Sequence, residues 1–307
     1  MKKLLPAIAI LLFSFVNTHA ANPLEGRWDL TYNKNGRELP SWLEVMHSGI
    51  RTFVGHYVGA GGSARPISEV FVDGNKFHFA IPPQWENDSA YLKVEGTVNG
   101  DNISGTLTEP NGKNYAFSGS RAPGLRRDKQ PSWGSPITLF NGKDLTGWQA
   151  VGRTNQWIVE NGNLKSPQSG ANIRTEQTFN DFKLHVEFRF PKGSNSGVYL
   201  RGRYEVQIED PNGVTEPYIG GLGAIYGFLK PSDMVAKAPG EWQSYDITLI
   251  GRRVTVVCNG KTIVDNQEIP GITGGALDSK EGEPGPIFFQ GDHGPIEYRN
   301  IVITPAK

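Results

Sequence analysis

Residues 183–190, KLHVEFRF, alternate strictly: Leu184, Val186, Phe188 and Phe190 fall on one side, and Lys183, His185, Glu187 and Arg189 on the other. Successive side chains of an extended chain point to opposite faces, so this run forms a half-buried antiparallel strand. Residues 244–250 repeat the pattern. Asn141-Gly142, Asn161-Gly162 and Asn259-Gly260 punctuate these runs, and Asn-Gly pairs suit the positive φ angles of tight hairpins. No long amphipathic helix pattern intervenes. The second half of the chain therefore reads as two stacked sheets, and the fold class as all-β.

The first half reads as β too. Strand patterns fall near residues 26–32, 42–47, 51–58, 67–72, 76–81, 91–98, 103–108 and 114–118, separated by turns rich in Asn, Asp and Gly. Sequential hairpin strands of this number suggest a small antiparallel barrel. Gly26-Arg27-Trp28 resembles the G-x-W that opens lipocalin-like barrels, and Arg121, just past the last strand, is placed to cover that tryptophan. The barrel reads first as a structural spacer, with ligand or glycan binding through Trp42, Trp85 or Tyr91 as the alternative. Residues 121–136, RAPGLRRDKQPSWGSP, lack periodicity and read as a linker. The expected division is a signal peptide at 1–20, a barrel domain at 22–121, a linker at 122–135 and a sandwich at 136–305.

The leader has the three parts of a secretory signal: Lys2 and Lys3, an apolar run from Leu4 to Val16, and Thr18-His19-Ala20 before the expected cleavage near Ala20. A bacterial periplasmic or secreted protein is expected, and the apolar run is short for a membrane span. With 31 basic and 31 acidic residues the chain shows no electrostatic footprint for nucleic acid, and Arg126, Arg127 and Lys129 read as a solvated linker group. Cys258 is the only cysteine, so no intramolecular disulfide forms; its place in VTVVC reads as core. The glycines of residues 219–227, IGGLGAIYG, lack the strand-to-helix context of a phosphate loop, and no dinucleotide fingerprint is present.

Seven blocks in order carry a family resemblance: LFNGKDLTGW (139–148), FNDFKLHVEFRF (179–190), NSGVYLRG (195–202), YEVQIED (204–210), GAIYG (223–227), EWQSYDIT (241–248) and GPIFFQGDHGPIEYRNIVI (285–303). Together they resemble the 3-keto-disaccharide hydrolase domain family over residues 136–305. The resemblance implies a concanavalin-like jelly-roll sandwich acting on sugars oxidised to a ketone at C3. Such a ketone acidifies the C2 proton, and loss of that proton lets the C1 substituent leave by β-elimination. The chemistry needs a base near C2, a donor for the C3 enolate oxygen and an acid near the leaving oxygen. Water addition makes the net reaction a hydrolysis; without it the enzyme is a lyase.

Residues 195–210, NSGVYLRGRYEVQIED, hold the densest set of candidate groups. Glu205 lies in an otherwise apolar strand, where desolvation raises a carboxylate pKa, and is the leading base candidate. A solvent-facing or Arg-paired glutamate is the competing reading. His293 is the second acid/base candidate, against a loop histidine bonded to backbone. Arg201 is expected to hold the enolate or to pair with Glu205. Gln207, Tyr226 and Gln290 are candidate partners of sugar hydroxyls, and Glu297 and Arg299, of like strand parity, either line the concave face or form a cross-strand ion pair. Trp148 and Trp157 read as core anchors. No metal site is assigned, although Asp210, Asp292 and nearby carbonyls could coordinate a hard cation such as calcium. The expected function is an exported enzyme cleaving 3-keto-glycosides, whose small oxidised saccharide substrate is supplied by a separate sugar 3-dehydrogenase; the alternative is a noncatalytic carbohydrate-binding module. A scaffold that uses the barrel for protein contacts is a third reading.

Overall fold

A computed structural model describes residues 22–307 of the 307-residue chain, apart from positions 85 and 88. The leader and Trp85 thus lie outside the described residues. Strands, turns and bends make up the described chain, with no helix among them, as the period-two pattern predicts.

Eight strands close into an antiparallel barrel: β1 (Gly26–Lys34), β2 (Arg37–Ser48), β3 (Thr52–Val58), β4 (Arg65–Asp73), β5 (Lys76–Ile81), β6 (Leu92–Asn99), β7 (Asn102–Thr108) and β8 (Asn114–Arg121). Closure comes from β1 pairing with both β2 and β8. Between β1 and β2, Asn35 and Gly36 take φ of 56° and 79°, the two positive angles that a tight hairpin turn requires. Trp28 is fully buried and its Nε1 donates to the Leu24 carbonyl at 2.8 Å. The Arg121 guanidinium lies 3.9 Å from the centroid of that ring and donates to the Glu25 and Pro23 carbonyls. The expected arginine lid on the G-x-W tryptophan is present.

The remaining strands build two stacked sheets. One has five strands in the order β10 (Trp148–Val151), β13 (Asn172–Phe179), β20 (Gly285–Phe289), β15 (Asn195–Leu200), β16 (Tyr204–Glu209). The other runs β11 (Ile158–Glu160), β12 (Asn163–Ser166), β21 (Ile296–Pro305), β14 (Phe182–Arg189), β17 (Gln243–Ile250), β18 (Arg253–Cys258), β19 (Lys261–Glu268), with β9 (Ile137–Thr138) also paired to β21. The alternation of β14 buries Leu184, Val186 and Phe188 between the sheets. Each such side chain contributes about 1.5–3 kcal/mol by leaving water. Trp148 stacks on Phe289 at 5.1 Å and Trp157 on Tyr298 at 6.2 Å, so both tryptophans anchor this core. Cys258 is buried in it.

The barrel meets the sandwich through Trp42. Although this residue belongs to β2, its indole joins the sandwich core, edge-on to Phe228 at 5.4 Å and flat against Gly271, where a Cβ would stand 2.7 Å from Trp42 Cδ2. This corrects the reading of Trp42 as a glycan platform: its ring has no open face. Tyr91, by contrast, is half-exposed. The linker is not merely solvated either, because Arg127 Nε donates to Asp181 at 2.8 Å. A groove of about 670 Å³ at the junction is lined by Asp29, Asn102, Arg121 and Glu281 among others. Glu281 accepts from Arg252 Nη2 and from the Tyr204 hydroxyl, both at 2.7 Å. Burial, reinforced by the charge of Glu281, pushes the Asp29 carboxyl up to about 9.

Candidate active site

Strand register draws one row across the outer face of the five-stranded sheet. Gln149 pairs with Arg174, Arg174 with Phe288, Phe288 with Tyr199, and Tyr199 with Glu205. The row ends at Glu205 because Tyr204, Val206 and Ile208 face the core and leave the odd positions of β16 to the other side. A three-residue turn sets this register, with Leu200 opposite Tyr204 and Gly202 at φ 68°.

Glu205 is 2% exposed. Its carboxyl folds over Gly197 on β15, where a Cβ would stand 2.8 Å from Glu205 Cγ. Burial pushes the Glu205 carboxyl up to about 8; contact with the Tyr199 hydroxyl opposes this and the charge of Asp292 adds to it. Tyr199 itself gives its hydroxyl proton to the Gly274 carbonyl at 2.9 Å. Thr273 Oγ1 accepts from the Glu205 backbone N–H at 3.0 Å, so residues 273–275 run beside this edge strand and fix both the carboxylate and its tyrosine.

The loop after β20 supplies the second ionisable pair. His293 Nδ1 donates to Asp292 Oδ1 at 2.8 Å, and this bond raises the imidazole pKa above its ordinary value. Burial is the largest single influence on Asp292 and works against its ionised form, but the bond from His293 and the charges of His293 and Arg153 together outweigh it and hold the carboxylate below its usual range. A buried carboxyl that keeps its proton and a histidine that is readily charged thus share the influence of one aspartate. His293 is more exposed than Glu205, with a side chain 55% exposed, at the rim of the arrangement.

Gln207, Tyr226 and Gln290 frame these groups. Gln207 is buried, and its Oε1 accepts from the Ile208 N–H at 3.1 Å. The N–H of Tyr226 donates to the Glu205 carbonyl at 3.0 Å. Burial, followed by the charges of Glu205 and Glu209, raises the Tyr226 phenol, which therefore remains a donor at neutral pH. The backbone N–H of Gln290 donates to Gly197, and its side-chain Oε1 is buried with no hydrogen-bond partner. The residues of the 219–227 segment pack tightly here: Gln207 exchanges backbone bonds with Gly223 and Ala224.

Three expected site residues stand elsewhere. Arg201 leaves the strand at φ 52°, and its Nη2 donates to the Tyr204 hydroxyl at 2.9 Å and the Gly251 carbonyl at 3.2 Å. Tyr204 belongs to the core face, so the guanidinium sits behind the sheet and forms no ion pair with Glu205. Glu297 and Arg299 lie on β21 in the other sheet, facing away from the core that Ile296 and Tyr298 enter. Glu297 accepts from Arg189 at 2.8 Å, and Arg299 donates to Glu187 at 2.6 Å: both are cross-strand ion pairs. These placements correct the expectation that Arg201 holds the enolate or pairs with Glu205, and for Glu297 and Arg299 they decide between the two readings in favour of the cross-strand ion pair over substrate binding on the concave face. Asp210 accepts from the backbone N–H groups of Gly193 and Asn212, a turn-capping role. Among the described residues no three His, Cys, Asp or Glu side chains group as metal ligands. Sequence reasoning missed Tyr199 as the neighbour of Glu205 and Asp292 as the partner of His293. The hairpin spacing around Gly202 carried the first signal.

The sandwich resembles known proteins in sequence. The 3-keto-alpha-glucoside-1,2-lyase-like domain model matches residues 135–304. A 3-keto-disaccharide hydrolase of Bacteroides thetaiotaomicron is 32% identical over 94 residues, a stretch covering 26% of this chain. The chain spans 32% of that curated relative's length. A candidate glycosyl hydrolase from Parabacteroides distasonis, solved at 2.13 Å, is 31% identical with a TM-score of 0.48, over 58% of this chain and 92% of its own. The carbohydrate-binding module CBM66 of Bacillus subtilis is 10% identical with a TM-score of 0.38, over 50% and 93%. Over its sandwich, this chain belongs to the 3-keto-alpha-glucoside-1,2-lyase-like domain family.

Proposed function

We propose that the protein cleaves the glycosidic bond of 3-keto-glycosides or 3-keto-disaccharides, with Glu205 as the base. The observation that carries this reading is the Glu205 carboxyl, buried over Gly197, raised to about 8 and coupled to the Asp292–His293 pair. A carboxylate in such surroundings is a far stronger base than one in water, which suits removal of a proton made acidic by a neighbouring ketone. Glu205 takes the C2 proton, the C2–H electrons form the C1=C2 bond, and the bond from C1 to the leaving oxygen breaks. His293, held charged by Asp292, gives the leaving oxygen its proton. Tyr226 donates to the C3 oxygen as it gains charge, and the unpartnered Gln290 Oε1 accepts from a sugar hydroxyl. Water addition to the enone completes hydrolysis; release of the enone makes the reaction a lyase step.

The ketone must be installed by a separate sugar 3-dehydrogenase. The basic, apolar and small-residue pattern of residues 1–20 supports export to the periplasm or beyond. Incubation with a 3-keto-disaccharide and with its unoxidised parent tests the reading. Release of monosaccharide or enone from the keto sugar alone is expected. Binding of both sugars with cleavage of neither would replace it with the carbohydrate-binding module.

A further inference from the structure

The barrel reaches the site through one peptide unit. The carbonyl of Gly274 accepts the Tyr199 hydroxyl proton at 2.9 Å, and the adjoining N–H of Gly275 donates to the carbonyl of Ala60, in the β3–β4 loop of the barrel, at 3.0 Å. The same loop closes on Gly274 from the other side, where a Cβ would stand 2.8 Å from Gly62 N. Two further contacts frame this peptide. Trp42 presses on Gly271, three residues upstream, and Ser63 and Ala64 press on Gly227, beside Tyr226, so that a Cβ at position 227 would stand 2.8 Å from each. Residues 271–275 are therefore held along their length by the barrel, and they carry Thr273, which accepts from the Glu205 backbone.

A phenol has one proton to give. The Gly274 carbonyl competes for that proton with the carboxyl of Glu205, the cross-strand neighbour whose charged form contact with the Tyr199 hydroxyl favours. Released from Gly274, the same hydroxyl would donate to the Glu205 carboxylate and favour its charged form. We propose that the barrel is a positioning domain for the site: its 59–64 loop, acting through the Gly274–Gly275 peptide, directs the Tyr199 proton away from Glu205. Tyr199 and residues 60–62 are positioning residues here, and the proposal rests on the reading of Glu205 as the base. The other ionisable groups whose charges reach Glu205 are Asp292, Tyr226 and Tyr298, and Asp292 is in turn influenced by His293 and Arg153. None of them is bonded to the barrel loop.

The test is a titration of the Glu205 carboxyl carbon by NMR in the full-length protein, in a variant lacking Gly61 and Gly62, in Tyr199→Phe, and in the combination. Loop shortening is expected to lower the Glu205 midpoint by about one pH unit, the scale of one redirected hydrogen bond. In the Tyr199→Phe background shortening is expected to add no shift, since the hydroxyl that carries the effect is gone. Should the shortened loop fail to fold, Trp42→Ala loosens the same segment at Gly271 and is expected to move the midpoint in the same direction. An unchanged midpoint, or an equal shift with and without the Tyr199 hydroxyl, would overturn the proposal. A Tyr199-dependent shift in a protein that turns over no 3-keto sugar would sink the catalytic reading and leave the coupling intact.

Discussion

Gly197 leaves room for Glu205: the carboxylic side chain crosses the space that a Cβ at position 197 would occupy, 2.8 Å from its Cγ. A larger residue at position 197 would displace the Glu205 side chain. Gly197→Ala is expected to push the carboxyl off its position and lower kcat/KM on a 3-keto-disaccharide by about 100-fold, the scale of an ångström-sized misplacement. Steady-state kinetics beside a melting curve check this, with the loss in rate exceeding any loss in fold.

The raised Glu205 pKa fixes two signs. As a base it must be ionised, so kcat/KM should climb with pH along a limb centred near 8, and the need for a protonated His293 should bend the profile down again at higher pH. Its stability contribution runs the other way. The folded pKa lies above the ordinary 4.5, so folding binds a proton between these values. That contribution is complete below about pH 4.5 and is lost as pH rises through 8. Glu205→Gln mimics the protonated acid. Its Tm advantage over the parent should therefore widen from pH 5 to pH 8.5 while activity disappears. Asp29, raised to about 9, adds a loss of the same sign that the variant retains.

Asp292 acts on both ends of the proposed proton path. Its charge raises Glu205, and its bond raises His293. Asp292→Asn is expected to move the ascending limb of the pH–rate profile to lower pH and to reduce kcat, since a less basic carboxylate then works beside a less charged imidazole. A profile identical to that of the parent would remove Asp292 from the site.

How much of this was legible depends on what a period of two can say. It separates the faces of a strand, so the barrel strands, the core of β14 and the outward direction of Glu205 follow from sequence order. It does not say which sheet a strand joins. Glu297 and Arg299 have the expected parity, yet β21 lies in the sheet opposite Glu205. Arg201 has the parity of Glu205 as well, but at φ 52° it is already in the turn, and the alternation ends one residue earlier, at Leu200. Trp42 looked like a surface aromatic because the second half of the chain, which buries it, is invisible to the local pattern of β2.

Arg201 is then a structural residue. Arg201→Lys is expected to keep kcat/KM within about twofold and to leave the pH profile in place. It should lower stability by about 1–3 kcal/mol through loss of the bonds to Tyr204 and Gly251. Urea unfolding together with turnover separates this from a catalytic role, which would show as a collapse in rate at unchanged stability.

The central claim is that Glu205 removes the proton at C2, and a 3-keto-disaccharide deuterated at that carbon tests it most directly. Its kcat/KM should fall below that of the unlabelled sugar whether water adds or the enone leaves, an enone product should lack the C2 deuterium, and Glu205→Gln should release nothing. Equal kcat/KM for the two sugars, with a product still carrying its C2 deuterium, would contradict the account.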